Sequence, residues 1–169
     1  MNKRARTLAL AAVAAALLVV SCSTSNSYDQ AKIEAGLLKV EAGHFGSLTV
    51  GKASCPADEK LTEGVSFTCT IALEGVAAPF RVTLTDVKAS KIHLEAVNAK
   101  AIIPASSAEA FVEKNLDAGS AGAKATCGDA KVILSNPGDV ITCKLVKGSQ
   151  TGEVKLKVKD IKGNVSVVA

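Results

Sequence analysis

Five cysteines are the residues whose type and spacing suggest chemistry in this chain: Cys22, Cys55, Cys69, Cys127 and Cys143. Cys22 stands apart from the others. Ahead of it come a basic head of Lys3, Arg4 and Arg6, a thirteen-residue uncharged run from Leu8 to Val20, and the tetrad Val19-Val20-Ser21-Cys22. A bilayer-spanning helix needs about 20 apolar residues, so the shorter run reads as the h-region of an export signal. The tetrad reads as a lipobox, which directs cleavage before Cys22 and acylation of its sulfur by chains such as palmitate. Residues 1–21 are then a signal peptide, and the polar residues 22–28 a tether. An ordinary secretory signal with a free Cys22 is the alternative. Two or more acyl chains anchor stably, so the expected location is the cell membrane, lipid-anchored, on the extracytoplasmic side.

Four thiols remain, an even number that fits two disulfides in an oxidising compartment. Neither pair has the Cys-x-x-Cys spacing of a thioredoxin-like redox site. A unit of about 65 residues is marginal on its core alone. Loops of roughly 15 residues closed by disulfides contribute about 3 kcal/mol each in the chain-entropy model. The expected pairs are therefore Cys55 with Cys69 and Cys127 with Cys143. Four cysteines allow three connectivities, and cross-domain pairing stays open.

Other reactive constellations are sparse. Only His44 and His93 carry imidazoles, too few beside committed thiols for the roughly four converging ligands of a zinc site. Ser66 and Ser90 stand in no nucleophile motif. Asp86 and Glu95 form a conceivable carboxylate pair with nothing to raise a pKa. Gly119, Gly122 and Gly128 punctuate a Ser- and Ala-rich loop and make no phosphate cradle. No catalytic residue, metal or cofactor is expected. Lys155, Lys157 and Lys159 project from one face of an alternating strand, with Lys144 on the expected neighbour. This stripe could meet anionic lipid headgroups or envelope polymers. The plainer reading is a solvated face whose lysines keep sheet edges from pairing.

Composition narrows the partners further. Removing residues 1–21 takes three basic residues and no acidic one, so 20 Lys plus Arg fall to 17 against 16 Asp plus Glu. A net charge of +1 does not suit a nucleic-acid binder. One Tyr, four Phe and no Trp leave few aromatic faces for stacking sugars or bases.

The cysteines belong to an internal repeat. Ala53-Ser54-Cys55-Pro56, Glu63-Gly64-Val65-Ser66-Phe67-Thr68-Cys69-Thr70 and Phe80 to Val87 recur as Ala125-Thr126-Cys127-Gly128, Pro137-Gly138-Asp139-Val140-Ile141-Thr142-Cys143-Lys144 and Val154 to Ile161. A helix candidate precedes each copy. Ser27 to Gln30 and Ser106 to Glu109 have capping-box spacing. Ile33, Leu37 and Val40 share one helical face, as do Ala108, Phe111, Val112 and Leu116, and Gly43 and Gly119 are candidate terminators. Downstream, Phe67, Cys69, Ile71 and Leu73, then Phe80, Val82 and Leu84, then Val154, Leu156 and Val158 alternate with polar residues. One-sided alternation implies antiparallel sheets with one wet face. The expected fold is α+β: two tandem small domains, 29–98 and 106–169, each an N-terminal helix packed on a 3–4 stranded antiparallel sheet, joined near Asn98 to Ala105.

From helix through Cys-Pro, Gly-x-x-Phe-x-Cys-Thr and a strand ending in Asp-Val, the first copy resembles a small domain of unknown function found in mycobacterial and other actinobacterial envelope lipoproteins. The second copy departs from it, with Gly128 in place of the Pro and Ile141 where Phe67 stands. The resemblance implies an exported, disulfide-bearing α+β module, often lipid-anchored, and no particular activity. The expected function is a non-catalytic, membrane-anchored interaction or adaptor module whose partner is an envelope protein or polymer. The alternative is an extracytoplasmic carrier of a small apolar ligand or lipid, which requires a cavity above about 300 Å3.

Overall fold

The computed structural model describes residues 30–41, 43–57, 62–88 and 91–168. The fold is α+β, with two units in each of which a helix packs on a four-stranded antiparallel sheet. The first unit holds α1 (Gln30–Glu41), β1 (Val50–Ser54), β2 (Ser66–Leu73), β3 (Val76–Lys88) and β4 (Lys91–Asn98), in sheet order β1-β2-β3-β4. After β5 (Ala101–Pro104), the second holds α2 (Ala105–Lys114), β6 (Lys124–Thr126), β7 (Val132–Ser135), β8 (Val140–Lys147), β9 (Gln150–Val158) and β10 (Val165–Val168). Its sheet runs β6-β8-β9-β10, the same path as the first.

The period-two reading of the strands holds. Phe67, Cys69, Ile71, Leu73, Phe80, Val82 and Leu84 are buried under α1, while Arg81 and Thr85 are exposed. Leu156 and Val158 are fully buried in the second unit. Phe45, after α1, meets Phe80 edge-on at 5.9 Å between ring centroids.

The helices differ from expectation in detail. A 3.6-residue period aligns positions 33, 37 and 41, so the buried face of α1 is Ile33, Leu37 and Glu41, and Val40 turns to solvent. Ser27 lies outside the described residues. In the second copy no capping box forms, because α2 starts at Ala105, directly after Pro104, with Ser106 already inside its first turn. Asn115, not Gly119, closes α2, its Nδ2 donating to Phe111 O at 2.7 Å.

The duplication is geometric as well as textual. Gly64 N–H donates to Leu84 O at 2.8 Å and Leu84 N–H to Val65 O at 3.0 Å. Gly138 N–H donates to Val158 O at 2.8 Å and Val158 N–H to Asp139 O at 2.9 Å. Gly64 and Gly138 hold φ of 84° and 97°, a region that side chains with a Cβ disfavour, which explains the Gly shared by the two copies.

The stretch expected as a plain connection, 98–105, contains strand β5. It pairs antiparallel with β7, matching Ile102 to Leu134, Ile103 to Ile133, Ala101 to Ser135 and Pro104 to Val132. Opposite residues of an antiparallel pair share a face. Val132, Ile102 and Leu134 pack into the first core, whereas Ala101, Ile103 and Ile133 pack into the second. This two-stranded ribbon is therefore a wall shared by both units. Lys131, just before β7, adds an ion pair to Glu74 of the β2–β3 turn at 3.1 Å.

Candidate interaction surface

Both expected disulfides are present, Cys55–Cys69 and Cys127–Cys143, with sequence separations of 14 and 16. All four cysteines are buried, and each bond ties the end of an edge strand to the strand beside it. Buried, oxidised sulfurs of this kind staple the fold, and disulfides persist in extracytoplasmic compartments.

Glutamates reinforce the same edges, Glu34 and Glu113 unmarked in the sequence reading and Glu109 expected there only as half of a capping box. Glu34 and Glu109 are each the fifth residue of their helix. Glu34 Oε1 accepts the backbone N–H of Cys55 at 2.9 Å, and Glu109 Oε1 that of Cys127 at 3.1 Å. Glu113 Oε1 accepts the N–H of Ala125 at 3.1 Å, and its other oxygen meets Lys124 at 3.2 Å. The Ala125 amide first, and then Lys124, holds the Glu113 carboxyl below the usual glutamate range. An edge strand offers unpaired amides to other chains, and these carboxylates occupy them. The sequence signal was available, as an acidic residue at the same helical position in both copies.

Lys155 and Lys157 are exposed on β9, and Lys159 is exposed one residue beyond its end. Lys144 is exposed on β8. In register, Lys144 opposes Glu153 and Thr126, Lys155 opposes Thr142, and Lys157 opposes Val140 and Ser166. These residues make one solvent face of the second sheet. The expected edge-guarding role does not fit β8 and β9, because both are interior strands. Among the described residues, Lys144, Lys155, Lys157 and Lys159 have no carboxylate within ion-pair distance. The corresponding face of the first sheet differs. It carries Ser66, Thr68, Thr83, Arg81 and Glu95, with Ser66 and Thr83 hydroxyls 2.7 Å apart.

The histidines do not converge. His93 is exposed on β4, opposite Asp86. Asp86 also meets Lys88 at 2.8 Å. Glu95 opposes Thr83, two positions further along β4 from His93. His44 Nδ1 lies 3.3 Å from Glu41 Oε2, and both line a cleft of about 230 Å3 at the junction of the units, together with Lys162. Phe45, Leu48, Asn98, Ile102 and Pro104 complete this cleft. Among the described residues no group of three or more His, Cys, Asp or Glu side chains is placed to hold a metal. No described helix is long and apolar enough to cross a membrane. Cys22, the signal residues 1–21 and the tether 22–28 lie outside the described residues.

The first unit, with its helix, its Cys55–Cys69 staple and the strand ending beyond Asp86, is the part that known families recognise. Residues 12–89 match DUF4333, a domain of unknown function. The DUF4333 match takes in α1 and β1–β3, stops before β4, and does not extend to the second copy. What relates the second copy to the DUF4333 unit is its strand order, its paired Gly hydrogen bonds and its disulfide. No curated protein and no solved structure matches the chain.

Proposed function

We propose that this protein is a non-catalytic cell-envelope lipoprotein, held on the extracytoplasmic side of the membrane by acyl chains on Cys22, that works as an interaction module. The observation carrying this reading is the pair of buried disulfides, downstream of the tetrad Val19-Val20-Ser21-Cys22 that reads as a lipobox. Oxidised staples suit an exported chain, and the Leu8–Val20 run before Cys22 is too short to span a bilayer. Support for interaction over carriage comes from the cavities. The junction cleft of about 230 Å3 is smaller than the 300–1,000 Å3 of ordinary ligand pockets. The larger hollows, one of about 590 Å3 on the wet face of the second sheet beside Thr126, Thr142 and Lys144 and one of about 430 Å3 beside Glu74, Glu109, Asp129 and Lys131, are lined mainly by polar and charged side chains, which suit an apolar cargo poorly.

The test is Cys22→Ala in cells that export the protein. The expected result is loss from the membrane fraction and appearance in the soluble fraction. Retention of the variant in membranes washed with high salt would count against the lipid anchor.

A further inference from the structure

The lysine face of the second sheet has a feature that charge alone does not explain. Val140, Val146 and Val168 are 52%, 39% and 39% exposed, among the most exposed large apolar side chains of the described residues. Each stands directly opposite a lysine on a neighbouring strand: Val140 opposite Lys157, Val146 opposite Lys124, and Val168 opposite Lys155. Opposite residues share a face, so the surface interleaves ammonium groups with bare valines. Glu153, opposite Lys144, is the acidic residue on these strands' solvent face. Lys124 is tied to Glu113 of α2, whereas among the described residues Lys144, Lys155 and Lys157 on these strands, and Lys159 just beyond them, have no carboxylate within ion-pair distance.

We infer that this face docks on an anionic lipid bilayer. The inference rests on the reading of the chain as a membrane-held interaction module and names the partner of one of its surfaces. A bilayer interface satisfies both halves of the pattern. Headgroup phosphates attract the lysines, and the boundary between headgroups and acyl chains accepts the valines. A hydrated anionic polymer would engage the lysines and leave the valines in water. Guarding of sheet edges does not account for the lysines either, since β8 and β9 each have a strand on both sides. Among the described residues the first unit's solvent face has one such pair, Val97 (59% exposed) opposite Arg81, set among hydroxyls and Glu95, so the pattern is not repeated there. The second unit lies against the membrane by its sheet, and the first faces outward.

The experiment uses residues 23–169, which contain both cores and both disulfides, produced in an oxidising compartment and without an acyl chain. Binding is measured by flotation with vesicles of pure phosphatidylcholine and with vesicles enriched in phosphatidylglycerol. Stronger binding to the anionic vesicles is expected, falling as salt rises. The triple variant Lys144→Gln, Lys155→Gln, Lys157→Gln should lose affinity on the order of a hundred-fold, from about five-fold per lysine. The pair Val140→Ser, Val168→Ser should lose about tenfold while keeping the salt dependence. Matching circular dichroism melts show that the variants are folded. Equal binding to both vesicle types, or parent-like binding by the triple variant, overturns the inference. So does tight binding to soluble dextran sulfate together with valine variants that bind vesicles as the parent does, which would identify a polymer site. Because the polypeptide carries no acyl chain, these outcomes are separate from the fate of Cys22→Ala in cells.

Discussion

Val132 belongs to the second repeat by sequence and to the first core by packing, and Val132→Ala exposes that division. The side chain is 2% exposed, on the β7 face that meets the first unit. The substitution removes two methyl-sized groups, about 1.6 kcal/mol at roughly 0.8 each. Incomplete collapse of the space left behind adds to this, and about 2 kcal/mol is a fair total. Native-state hydrogen exchange reads the result residue by residue. Amides of β2 and β3 that exchange only on opening of the first unit should exchange roughly thirty-fold faster, since 1.4 kcal/mol is a factor of ten. The companion variant Ile103→Ala acts on the other side of the ribbon, where Ile103 is 3% exposed in the second core. Its main effect should fall on β8 and β9. If Val132→Ala leaves β2 and β3 at parental rates and accelerates only β8 and β9, the two-sided ribbon is refuted.

Three further outcomes follow from the same structure. Cys143→Ala opens the Cys127–Cys143 loop, with its separation of 16 residues, and should cost about 3 kcal/mol in chemical denaturation; a midpoint equal to that of the parent would contradict the staple. Gly163→Ala should lower the melting temperature, because φ is +83° there and a Cβ would stand 3.1 Å from both Ile102 O and Ile103 Cγ1; an unchanged melt would mean the β9–β10 turn can move off the ribbon. Glu74, Glu113, Asp139 and Asp160 are all held below their ordinary carboxylate ranges, chiefly by hydrogen bonds from Thr49, Ala125, Asn136 and Asn164. A depressed folded-state pKa adds stability above the unfolded value and loses it as pH falls through the folded one. Denaturation midpoints should therefore be flat near neutrality and drop below about pH 4.5, and Glu113→Gln should flatten that drop in part.

Much of the architecture was legible because it follows local rules. Alternation at Phe67–Leu73 and Phe80–Leu84 fixed which strand faces are buried, since side chains in a strand point to opposite sides in turn. Cysteine count and spacing made the pairs Cys55–Cys69 and Cys127–Cys143 the expected ones, and the structure settled them against cross-domain pairing. The lysine stripe was visible for the same period-two reason. The valines opposite those lysines were not, since strand register couples residues far apart in sequence: Lys155 meets Val168 only when β10 folds back. Glu109 was read as half of a capping box and instead reaches Cys127, because the start of α2 is set by Pro104 and the ribbon rather than by Ser106.

The sequence by itself determined the two helix-and-sheet units and the sidedness of their strands, and made within-unit sulfur staples the expected pairing. All of these rest on periodicities and spacings within a few tens of residues. Only the tertiary structure decided that β5 and β7 join into a wall with one face in each core, and that lysines and valines meet on the open side of the second sheet. Both depend on contacts between segments distant along the chain, where several registers suit the same pattern and packing selects among them.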